Sequence, residues 1–119
     1  MEKEDKLRYL AAILLIASAI THTLQLFVFG FSLSQIAAAL YGAMYIILGI
    51  LLLKFSNSQI LLLLCIFLPA IGGTLGVFRF IEMLTHEDVF NYFIVFHVIV
   101  DIIVVPICIY LLIKLRASE

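Results

Sequence analysis

Polar residues along this chain fall into short clusters, and between them run four stretches of almost unbroken Leu, Ile, Val, Ala and Phe. The stretches cover about residues 9–29, 33–54, 57–84 and 87–114. Each supplies the ~20 apolar residues an α-helix needs to cross a ~30 Å hydrocarbon layer. Three of the starts share a signature. Ser32-x-x-Gln35, Ser56-x-x-Gln59 and Thr85-x-x-Asp88 each match the capping box, in which the cap hydroxyl and the N3 side chain satisfy each other's backbone donors. Short connections imply antiparallel neighbours. The expected fold is therefore an all-α membrane protein, a four-helix up-and-down bundle with residues 1–119 forming one integral membrane domain.

Composition agrees with the pattern. Of 119 residues, 66% are apolar and 13% charged, where a soluble domain carries about 25% charged residues. The mean hydropathy is +1.27. The charges sit at the two termini and in one loop, which leaves almost no soluble part. A net charge of −1 without a basic stripe gives no reason to expect a nucleic-acid partner. The expected surroundings are a lipid bilayer, with the chain as a multi-pass protein of the cell membrane.

Lysine and arginine set the expected orientation. Lys3, Lys6, Arg8, Lys54, Lys114 and Arg116 all fall on one side of the four spans. Arg79 stands alone towards the other side, whose loop carries Glu87 and Asp88. The positive-inside rule puts both termini in the cytoplasm and argues against a dual-topology dimer. Residues 1–8 read as a charged tail, solvated or lying at the headgroups. Ala17-Ser18-Ala19 resembles a signal-peptide cleavage site, but the apolar run continues to Phe29, so the segment is expected to remain.

Small residues mark expected helix contacts. Gly72 and Gly76 form a GxxxG pair, and Ala38, Gly42 and Gly49 make a stripe in the second span. Pro69 and Pro106 each free a backbone carbonyl and are expected to kink their helices. Cys65 and Cys108 form no CxxC motif and read as small core residues that could lie at similar depth.

Polar side chains inside the spans carry the candidate chemistry. His97 and Asp101 stand one helical turn apart among Val and Ile, so they stack on one face. Intramembrane ionisable groups are rare and count as functional candidates. Counting along each span at about 1.5 Å per residue brings His22, Tyr41 and Arg79 to a comparable depth, with Tyr45 one turn below Tyr41. Thr21, Thr23 and Gln25 accompany His22. The candidate ligand-binding set is therefore His22, Tyr41, Tyr45, Arg79, His97 and Asp101, one polar layer in the outer half of the bilayer. Each member also has a plain structural reading. A histidine can fix helix packing, Arg79 can snorkel and pair with Glu82, and the tyrosines Tyr9, Tyr41, Tyr92 and Tyr110 include expected interfacial residues.

Three functions remain open from the sequence. The first is a non-catalytic accessory or structural subunit, with the polar layer as interhelical glue and a larger membrane complex as partner. The second is binding or transport of a small ligand or of protons through an outward-facing site at His22, Arg79, His97 and Asp101, where four short helices imply a homo-oligomer. The third is a cofactor protein, with haem held by His22 and His97 or a transition metal held by His22, His97 and Asp101. No nucleophile elbow, P-loop, HExxH or CxxC pattern nominates an enzyme.

Overall fold

The computed structural model describes residues 2–86 and 90–119. They form four helices: α1 (Lys3–Phe29), α2 (Leu33–Lys54), α3 (Gln59–Thr85) and α4 (Tyr92–Ala117). Each is long and apolar enough to cross a membrane. Pro69 and Pro106 lie inside α3 and α4, and neither interrupts its helix.

The helix starts follow local hydrogen bonding, and two differ from the capping-box expectation. Ser32 caps α2 as expected, its Oγ accepting the Gln35 N–H at 3.4 Å. In α3 the cap is Ser58, whose Oγ accepts from Leu61 N, so Ser56 lies outside the helix. Thr85 is no cap. It is the last residue of α3, and its hydroxyl bonds the carbonyls of Ile81 and Glu82 instead. Asp88 lies outside the described residues. Asn91 caps α4, with Oδ1 accepting from Phe93 N at 2.9 Å. This later start leaves His97 five residues into α4, closer to the helix end than the sequence suggests.

The N-terminal segment differs more. It is helical from Lys3, and Arg8 is buried. Its guanidinium donates to the Leu52 carbonyl at 2.6 Å and to Asp5 at 3.0 Å. Leu52 is among the last residues of α2, whose carbonyls have no partner within their own helix. A cation there also opposes the negative end of the helix dipole. Arg8 is thus a built-in C-cap for a neighbouring helix, and the tail is not a free solvated arm.

Contacts at each end define which segments meet. At the terminal end, Gln59 donates to Glu119, Lys3 lies over the Tyr110 ring, and Arg8 reaches α2. At the opposite, loop end, Asn91 donates to Gln25 at 3.0 Å and the rings of Phe29 and Phe93 meet edge to face. Gly30 ends α1 there with φ of 94°, a left-handed value that costs glycine least.

Most fully buried apolar residues lie toward the terminal half. Ala11, Ala12, Leu15, Leu52, Val104 and Cys108 are all completely enclosed. Cys65 and Cys108 are free, buried and side by side in this core. Along α1 and α2 the backbones run close, because a Cβ on Gly49 would sit 2.9 Å from the Ala12 carbonyl oxygen. α3 lies along α4, and α1 touches α4, but α2 and α3 touch only sparsely. The bundle is therefore tight on three sides and loose on the fourth.

Candidate functional site

Where α2 and α3 part, a cavity of about 410 Å³ lies in the loop half of the molecule. His22, Tyr41, Tyr45, Arg79, His97 and Asp101 all line it. These six residues come from all four helices, so the polar layer read from helical depth is one continuous wall.

The floor is made by α1 and α4. The rings of His22 and His97 stack, with centroids 3.6 Å apart and planes inclined by 21°. His22 reaches that position because α2 offers it Gly42, where a Cβ would fall 2.6 Å from the His22 Cβ. Thr21 fixes the other ring. Its Oγ1 lies 2.7 Å from His97 Nε2, and 2.9 Å and 3.2 Å from the Ser18 and Ala17 carbonyl oxygens. A helical threonine gives its single proton to the i−3 or i−4 carbonyl. With that proton on the carbonyl, its lone pair accepts the Nε2–H of a neutral His97, and Nδ1 is then the bare nitrogen.

Asp101 occupies the next turn of α4. Tyr45 donates its phenol proton to Asp101 Oδ1 at 2.7 Å, linking α2 to α4. The contact passes over Gly72 of α3, where a Cβ would lie 2.6 Å from the Tyr45 oxygen and 3.5 Å from Asp101 Oδ2. Any side chain at Gly72 would separate the pair. Gly76, one turn further along α3, meets Val98 of α4. The GxxxG pair therefore serves close packing at one position and clearance for the tyrosine–aspartate bond at the other. Tyr41 donates to the carbonyl of Leu68 in α3.

Arg79 and Glu82 stand at the mouth and also line a neighbouring cavity of about 400 Å³ at the loop end. Gln35 and Asn91 border that second space. The expected Arg79–Glu82 ion pair is not made. Among the described residues the only ion pair joins Arg8 and Asp5. Among the described residues, three polar atoms of this half are buried without a partner: Nδ1 of His22, Nε2 of Gln25 and Oε1 of Gln35.

The geometry bears directly on the cofactor readings. Imidazole lone pairs lie in the ring plane, and two nearly parallel planes 3.6 Å apart cannot aim them at one ion at the ~2.0–2.1 Å of a metal–nitrogen bond. Among the described residues no three His, Cys, Asp or Glu side chains gather as a metal site. A haem held by both histidines needs its ring between them, and these rings are already in contact. The arrangement does not fit His22 and His97 as a shared ligand pair, nor Asp101 as their third member.

Two contributors were not among the candidates. Thr21 reads from sequence only as a companion of His22, because its bond to His97 depends on the rotation of α1 against α4. Asn91, which ties the α4 cap to Gln25, carries no motif that sequence could reveal. No family model, curated protein or solved structure matches the chain.

Proposed function

We propose that the chain is a multi-pass protein of the cell membrane that binds a small ligand in the cavity between α2 and α3. In this reading the helices run alternately up and down, both termini face the cytoplasm as the lysine and arginine distribution suggests, and the cavity lies in the outer half of the bilayer. One observation carries it. A cavity of about 410 Å³ is walled by ionisable and hydroxyl side chains from four helices. Ligand sites are concave, mostly apolar, a few hundred Å³ in volume and furnished with a few convergent polar groups. A layer serving only as glue would be expected to close on itself.

The glue reading keeps one specific support. Tyr45–Asp101, Thr21–His97 and Gln25–Asn91 each join two helices. Such bonds stabilise membrane bundles and also hold the floor of the cavity rigid, so a structural subunit in a larger complex is the second reading.

A thermal-shift comparison tests the proposal. A ligand that binds the folded state raises the unfolding temperature. Small amphiphiles are screened against wild type and against Ala38→Trp, which fills the cavity from α2. The proposal expects compounds that stabilise wild type and leave the filled variant unmoved. Equal shifts in both proteins would place binding elsewhere and remove its basis.

A further inference from the structure

Resting on the ligand-binding reading, we infer that the occupant is an amphiphile that arrives sideways from the lipid between α2 and α3, with a head that donates hydrogen bonds. Two independent observations lead here, one about the opening and one about the floor.

The opening faces the loose side of the bundle. Its edges are Ala37 and Ala38 on α2 and Leu75 and Phe78 on α3. Leu75 is 54% exposed and Phe78 62% exposed. These are apolar side chains on the outer surface of long apolar helices, so the slot between them faces hydrocarbon along its side, apart from the mouth at the loop end. An apolar body can lie in that slot without leaving the lipid phase. Glu82 and Arg79 stand at its mouth, the end of the cavity nearest the loops and water.

The floor is short of donors. Both phenol protons are already spent, Tyr45 on Asp101 Oδ1 and Tyr41 on the Leu68 carbonyl. Thr21 bonds its own helix, and the Nε2–H of His97 is taken by Thr21. What the floor retains is acceptor capacity: Oδ2 of Asp101, the bare Nδ1 of His97 and the phenol lone pairs. The donors held back are one N–H of His22 on the floor and, at the mouth away from the floor, the Arg79 guanidinium. In a mostly apolar cavity a buried polar group without a partner is costly. A hydroxyl head seated on this floor satisfies it without adding a second cation beside Arg79, whereas a head that only accepts leaves the floor unpaired. A site whose buried polar groups must be matched rejects the analogue lacking the matching group by large factors.

The test uses the full chain in lipid nanodiscs and two photoactivatable probes with the same diazirine-bearing alkyl chain. One probe ends in a primary alcohol and the other in its methyl ether, which cannot donate. Labelled peptides are located by mass spectrometry. The alcohol is expected to label the α3 segment around Leu75 and Phe78 at least ten-fold more than the ether, and Ala38→Trp is expected to abolish that labelling. Equal labelling by both probes in the wild type, lost in Ala38→Trp, overturns the head-group assignment and leaves the cavity reading standing. Labelling that persists in Ala38→Trp overturns both. No labelling of this segment by either probe, in a protein whose Ala38→Cys variant still reacts with a small water-soluble thiol reagent, overturns the sideways route alone.

Discussion

The imidazole rings of His22 and His97 stack face to face with 3.6 Å between their centroids, joining α1 to α4 at the floor of a cavity. The contact depends on residues beside it. Gly42 admits His22, and Thr21 holds His97 by Nε2.

Replacing Thr21 with Val should release the His97 ring. In wild type, nitrogen NMR of the imidazole is expected to show the proton on Nε2 alone. In Thr21→Val the signal should shift to a mixture of tautomers, with the helix content by circular dichroism unchanged. Retention of the pure Nε2–H form in the variant would show that another group holds the ring.

Tyr45 and Asp101 form the bond that crosses the cavity. Interhelical hydrogen bonds in a membrane protein average about 0.6 kcal/mol and reach about 1.7 kcal/mol. Tyr45→Phe should lose stability within that range. A double-mutant cycle with Asp101→Asn should give a coupling energy of the same size. Gly72→Ala should reproduce the loss with both partners intact, because its methyl group would stand between them. Strictly additive losses in the cycle would contradict the bond.

Gly42→Ala places a methyl group 2.6 Å from the Cβ of His22, a distance real side chains do not tolerate. Overpacking of this kind costs about 1–3 kcal/mol. The expected result, read by unfolding in detergent, is a destabilised protein in which His22 and His97 no longer stack. Gly30→Ala, where a Cβ would meet nothing, should instead show only the strain of a positive φ.

Arg8 is predicted to matter more than a tail residue should. Arg8→Ala removes a charged donor from the Leu52 carbonyl, and hydrogen bonds to charged groups are worth about 1.5–3 kcal/mol. Hydrogen exchange should show the last turn of α2 opening first. Unchanged protection there would mean that the carbonyl finds another partner.

Much of this architecture is legible in the sequence. Runs of twenty or more apolar residues locate four helices, since length and hydropathy alone make each able to span a bilayer. Depth counting places His22, Tyr41, Arg79 and His97 at comparable levels, with Tyr45 and Asp101 about one turn deeper, because helical rise is nearly constant. Rotation about the helix axis is harder to read, as each span is apolar on every side. For that reason the Thr21–His97 bond, the Gly42 seat for His22 and the absence of an Arg79–Glu82 pair emerge only from the fold. Cap positions are equally ambiguous where hydroxyls crowd together. Ser56 and Ser58 both precede α3, and Thr85 could begin one helix or end another. Charge alone cannot reveal the role of Arg8, because it does not show that a neighbouring helix ends beside it.

The central claim is that the polar layer borders an open, outward-facing space. It is tested most directly by placing a single thiol at Ala38→Cys in a Cys65→Ser, Cys108→Ser background. A small membrane-impermeant thiol reagent is then applied to each face of oriented membranes. The account predicts rapid modification from the face opposite the termini, and protection when Leu75→Trp fills the space from α3. An unreactive thiol, or one modified only from the side of the termini, would contradict it.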